Sequence, residues 1–195
     1  LTTNRLTYYD YRDLICKWDL QKKDSIAKLS EPIKPIVFWI SNTTPYEFRD
    51  VIRDAVLKWN KPFEQIGFKN AIQVFIQSDT ATWQTEDIRY NVIQWVASPT
   101  ATVGGIGPRL IDLRTGQIIA SDVTLEYSAL KNRIIESQLI NSISSDNLSF
   151  VDCLPVNPSL GIIALTILGK EDSIKTKLMN QCLSYLVLHE TGHAL

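Results

Sequence analysis

The sequence is short of the residues that most often hold metals or staple small folds. It contains only two histidines and three cysteines in 195 residues. Cys16, Cys153 and Cys182 are odd in number and show no C-x-x-C spacing. That argues against a disulfide framework and against a cysteine zinc cluster, and leaves open one bridge with one free thiol. No charge of either sign dominates: 20 Lys and Arg stand against 21 Asp and Glu, which points to neither nucleic acid nor a membrane surface as partner. The most apolar run, Leu160 to Leu168, is too short to span a bilayer and reads as a buried strand or the start of a core helix. The start carries no signal-peptide pattern and no initiating Met, and the last residue follows closely on the second histidine. Both ends read as cuts from a longer protein.

What is present is ordinary for a globular chain, with 45% hydrophobic and 21% charged residues, enough for one domain with a substantial core. Residues 1–30 alternate aromatic and charged groups without a period and read as a lead-in segment or arm; residues 31–195 carry the domain. Ile36 to Ile40 is a continuous apolar run bounded by Pro35 and Ser41, the pattern of a buried strand. Thr44-Pro45-Tyr46-Glu47 then reads as a capping box with proline at the first helical position. Phe48, Val51, Ile52, Ala55, Val56 and Trp59 follow at helical spacing, and Pro62 is expected to stop that helix.

Ala71 to Gln77 and Ile88 to Ala97 read as the second and third strands, and Ser98 to Pro108 as a loop by composition. Arg109 to Tyr127 reads as two strands around a turn at Arg114-Thr115-Gly116. Ser128 to about Ile143 has helical spacing, Asp146 to Pro158 is irregular, and a last helix runs from about Ser173 to the end. The order β-α-β-β-β-β-α-α predicts an α/β (α+β) domain with one mixed sheet and helices packed on it.

The chemistry concentrates in "LVLHETGHAL", residues 186 to 195, where both histidines fall. His189, Glu190 and His193 spell H-E-x-x-H. In a helix, positions four apart project from one face, so the two imidazoles can grip one Zn2+ ion. Glu190, about 100° around the axis from His189, can reach a zinc-bound water as general base and later pass the proton to the leaving amine. The pattern arises by chance in on the order of one chain in a few hundred. Against that stands the placement of both histidines on a strongly apolar helix. The stripe Met179, Cys182, Leu186, His189, His193 predicts that the histidines extend its buried face. Gly192, which costs about 1 kcal/mol relative to Ala inside a helix, predicts a close approach by another stretch of backbone. No third histidine exists, Cys182 lies about 10 Å away along the axis, and Asp122, Glu126, Glu171 and Asp172 are weak candidates for a third ligand.

"HETGHAL" resembles the start of the signature H-E-x-x-H-x-x-G-x-x-H of the metzincin metallopeptidases. "KPIVFWI…TTPYEFRDVIRDAVLKWNKPFEQIGFKNAIQV" is similar to the first strand, first helix and second strand of a matrixin-like catalytic domain, closest to a group of large bacterial zinc-dependent metalloproteases. "WDLQKKD" and "RYNVIQWV…IDLRTGQIIASDVTL" extend the likeness, which covers roughly residues 16–130 and 177–195. It implies a zincin-like mixed sheet packed on a zinc-binding active-site helix, with His189 and His193 as ligands, Glu190 as base and a third histidine beyond residue 195. It further implies an exported bacterial endopeptidase acting on peptide or protein substrates. By the same likeness an edge strand above the zinc helix pairs with extended substrate, an expectation assigned to Ile118, Ile119, Ala120, Val123 and Leu125. Two other readings stand beside it: a non-catalytic peptide-binding module on a degenerate protease fold, and another H-E-x-x-H zinc hydrolase with a downstream glutamate ligand.

Overall fold

The apolar run Ile36 to Ile40 forms a strand with neighbours on both edges, its Ile36, Phe38 and Ile40 buried on one face and its Val37 and Trp39 half-buried on the other. The computed structural model describes residues 14–100, 103–130 and 171–195. In it β1 (Ile36–Ile40) lies parallel between β2 (Ile72–Ile76) and β3 (Asn91–Val96), with Ile36 opposite Ile72 and Ile40 opposite Ile93. Across the sheet, β3 runs parallel to β7 (Val123–Glu126), and the two-residue β4 (Gly105–Ile106) closes that edge antiparallel to β7. The order is β2-β1-β3-β7-β4, and a separate two-stranded ribbon joins β5 (Arg109–Ile111) to β6 (Ile118–Ser121). The expected mixed sheet with helices packed on it is present.

Among the described residues it is accompanied by α1 (Tyr46–Leu57), the short α2 (Asn60–Gln65) and α3 (Glu171–Ala194). One face of the sheet meets α1 and α3 over a core that includes Phe38, Ile40, Ile52, Val56, Ile93, Leu125, Leu183 and Val187. Each such side chain contributes about 1.5–3 kcal/mol by leaving water. On the other face Trp39 gathers Phe75, Trp83 and Tyr90, with ring centroids 5.1, 5.5 and 6.1 Å away. The lead-in residues that are described are docked: Lys17 bridges to Gln117, and Trp18 and Leu20 pack on the core.

Several expectations are corrected by the structure. Pro45 is the N-cap residue of α1 rather than its first helical residue, and no side chain caps the helix. Thr44 is thereby displaced one position too early to cap, and its buried hydroxyl has no partner. Arg49 secures the approach instead, donating from Nε to the Thr44 carbonyl at 2.8 Å and from Nη2 to the Asn42 carbonyl at 2.7 Å. Pro62 does not stop the helix. The break comes at Lys58–Trp59, and Pro62 sits in the first turn of α2, where a missing N–H costs nothing. The Ser98–Pro108 loop contains β4. The second strand of the expected hairpin is two strands, β6 and β7, separated by Asp122. Here side chains replace the ladder: Asn91 Oδ1 accepts from the Ser121 amide at 3.0 Å and Asp122 Oδ1 from the Val92 amide at 2.9 Å. Tyr127 to Leu130 are helical. The rest of the helix expected to Ile143, the irregular stretch 146–158 with Cys153, and the run 160–168 lie outside the described residues. Among the described residues no helix is long and apolar enough to cross a membrane.

Candidate metal and catalytic site

The last two turns of α3 place the three motif residues by rotation alone. Leu183, Val187, Thr191 and Ala194 recur at helical spacing and are buried against the sheet. At about 100° per residue His189 stands about 200° from Val187, on nearly the opposite side of the helix. Both histidines are exposed and Glu190 is the buried member of the three, with 7% of its surface accessible. The expectation that the histidines extend the buried face is therefore wrong: the packed stripe runs one residue out of phase with Cys182 and Leu186, which are only half-buried.

The two imidazoles converge. His189 Nε2 and His193 Nε2 are 3.0 Å apart, with the rings nearly perpendicular at 83°. Two zinc–nitrogen bonds of about 2.0–2.1 Å at a tetrahedral angle hold their nitrogens about 3.3 Å apart, so the pair is close to a chelating separation as it stands. Both imidazoles line a cleft of about 600 Å³ together with Glu190 and the segment from Gly105 to Arg109, with Ile111. Among the described residues no third His, Cys, Asp or Glu joins the pair.

The earlier candidates for a third ligand are committed elsewhere or out of range. Asp122 caps Val92; burial pushes its carboxyl up, with that amide opposing and Glu86 adding to the rise. Glu126 accepts from the Ser98 hydroxyl at 2.6 Å and the Ser98 amide at 2.9 Å. Burial pushes the Glu126 carboxyl up, but the Ser98 and Ser128 hydrogen bonds outweigh it and hold the group below the usual carboxylate range. Glu171 and Asp172 open α3, about 26 Å along the axis from His189. Cys182 is a half-buried thiol whose pKa burial raises.

The covering segment is where sequence reading missed most. β4 lies over Glu190, and it can do so because Gly105 has no side chain. A Cβ there would stand 2.7 Å from Glu190 Cγ, 3.0 Å from its Cδ and 2.9 Å from the Thr124 carbonyl oxygen. At Gly107 a Cβ would strike the Glu190 carbonyl and come within 3.3 Å of His193 Cβ. The signal was the glycine cluster in "VGGIGP", since repeated glycine marks a place where backbone approaches closely. On the other flank of α3, Trp59 Nε1 donates to the Leu188 carbonyl at 3.0 Å, and Trp18 Nε1 donates to the Ala194 carbonyl at 3.1 Å. A Cβ on Gly192 would lie 2.8 Å from Trp59 Cζ2, so the group that needs this glycine is an indole ring and not a backbone.

The residues assigned to a substrate-pairing edge are divided between two strands of different sheets. Val123 and Leu125 are buried in β7, which has neighbours on both sides, β3 and β4. Ile118, Ile119 and Ala120 belong to β6 in the ribbon, where β5 takes one side and the Ile118 amide is given to the Lys17 carbonyl on the other. The sheet edge at the cleft is β4. The chain matches no protein-family model, no curated protein and no solved structure, so function rests on this geometry and on the sequence.

Proposed function

We propose that this protein is a zinc-dependent endopeptidase whose metal is held by His189 and His193 and whose base is Glu190. The observation that carries the reading is the convergence of two exposed imidazole nitrogens 3.0 Å apart beside a carboxylate buried under a sheet edge. Each part has a chemical reason. Neutral imidazole is a good zinc ligand, and the exposed rings leave room for other ligands on the cleft side. When bound, zinc supplies a Lewis acid that polarises a carbonyl and acidifies water. Glu190 would serve as the base that accepts a proton from water and passes it to the departing amine, a role that needs a carboxylate fixed in place and not itself a ligand. Burial beneath β4 fixes it. The side of β4 that no described strand pairs with offers backbone groups to which an extended peptide can add as a further strand.

Zinc titration followed by calorimetry tests the metal assignment, with His189→Ala as control. Binding abolished by the substitution is the expected result; unchanged binding would remove the assignment. Glu190→Gln tests the chemistry separately. It should keep the metal while slowing peptide hydrolysis by roughly 10²–10⁴-fold, the usual size of a general-base contribution.

A further inference from the structure

The cleft contains one positive side chain with nothing to hold. Among the described arginines, Arg49 binds backbone carbonyls, and Arg53, Arg89 and Arg114 pair with Asp50, Asp87 and Asp112. Arg109 lines the cleft, is exposed, and its side chain makes neither an ion pair nor a hydrogen bond among the described residues. Guanidinium groups are suited to planar, two-point recognition of carboxylates. The lining around it is glycine or apolar, from Ile106, Pro108 and Ile111, so no neighbouring carboxylate in the segment neutralises it. Glu190 lies in the same cleft but beneath β4, and no ion pair joins the two.

Its position along the chain sets where it reads a substrate. A Cβ on Gly107 would stand 3.3 Å from His193 Cβ, so the segment passes beside that residue, and Arg109 follows two residues later, about 7 Å further at strand spacing. We propose that Arg109 selects peptides bearing a carboxylate within about three residues of the bond presented to Glu190. This rests on the peptidase reading and names its substrate class: acidic peptides, recognised by a side-chain carboxylate or by a free C-terminus.

The test scores binding, not turnover, using fluorescence anisotropy of labelled peptides on the full chain with and without zinc. One series is amidated and carries Gln, Glu or Lys at successive positions; a second is neutral apart from a free C-terminal carboxylate. The Glu peptide should bind roughly three- to tenfold more tightly than its Gln twin, the range of a partly exposed ion pair. Salt should narrow the gap. Arg109→Gln should erase the preference and Arg109→Glu should reverse it in favour of Lys; the side chain is exposed and uncommitted, so neither change threatens the fold. A response confined to the second series supports carboxylate recognition with the terminus as its source. Equal affinities throughout, or a preference that survives Arg109→Gln, would overturn the proposal. The peptidase reading fails by different signs: zinc binding indifferent to His189→Ala, or hydrolysis indifferent to Glu190→Gln.

Discussion

The two flanks of the end of α3 are built on opposite plans. On one, the Trp59 and Trp18 indoles donate hydrogen bonds to helix carbonyls, and the ring of Trp59 fills the space left at Gly192. On the other, His189 and His193 stand exposed over the cleft, and the contact made there is a glycine strand laid on Glu190. The first flank fixes the helix by several interactions at once, while the second leaves side chains free to bind. A pair of side chains on a helix can be no better positioned than the helix itself, so the anchored flank is what holds the two imidazoles in place. Each flank uses glycine, for different ends: Gly192 admits a ring that locks the helix, and Gly105 admits a strand that covers a carboxylate.

The strongest way to break this contrast is to remove the anchor. Trp59→Ala should cost about 3 kcal/mol or more, from lost burial and a cavity, measured as a fall in the denaturant midpoint. Trp59→Phe keeps most of the ring and should cost closer to about 1 kcal/mol for the bond to Leu188. The two glycines come next. By helix propensity alone Gly192→Ala should gain about 1 kcal/mol, but the contact with Trp59 should cost about 1–3 kcal/mol and reverse the sign. In the Trp59→Ala background the same change should become stabilising, a reversal that a double-mutant cycle reads directly. Gly105→Ala should act on the cleft: zinc affinity should hold while Glu190 is pushed aside and hydrolysis drops roughly tenfold or more. If both alanines lowered stability and activity alike, the two flanks would not differ as described.

Smaller effects sharpen the picture. The Glu126 carboxyl is held below its ordinary range in the fold, so its contribution is present above the ordinary carboxylate pKa and lost as pH falls through the depressed value. Glu126→Gln should therefore flatten the acid side of the stability profile, measured by urea unfolding at a series of pH values. The smallest expected change is a gain. Thr191 Oγ1 is buried with no hydrogen-bond partner, and Thr191→Val keeps the shape while removing the unpaired group. It should be neutral or stabilising by up to about 1 kcal/mol.

What could be read from the sequence was what is local. The α1 stripe, β1 and β2 within a residue at each end, and the start of α3 within two residues all follow from spacing in short windows. The imidazole pair follows from four-residue spacing on one helix. Depth on the helix was misjudged, because two apolar stripes run along α3 and only tertiary packing decides which is buried. β4 was missed because two residues carry no alternation, and its existence depends on Leu125 and Thr124 arriving from some twenty positions away. The cap failed because Pro45, read as a helper, shifts the start of α1. Arg109 has no local signature at all: its role comes from which side chains fail to reach it.

α1 and α3 are pressed together although Lys58 and Ser184, which hydrogen-bond across them, stand 126 positions apart, and Trp18 reaches Ala194 across 176. During synthesis the helix-facing side of the sheet, with Phe38, Ile40 and Ile93, has α1 but must wait for α3 to complete its cover. Closing that long loop is the costly step, and the contacts that repay it come only at the end. The helix that completes the core also carries the imidazoles. A ribosome-bound intermediate lacking α3 would thus expose an apolar surface of the kind chaperones hold, and would lack the imidazole pair.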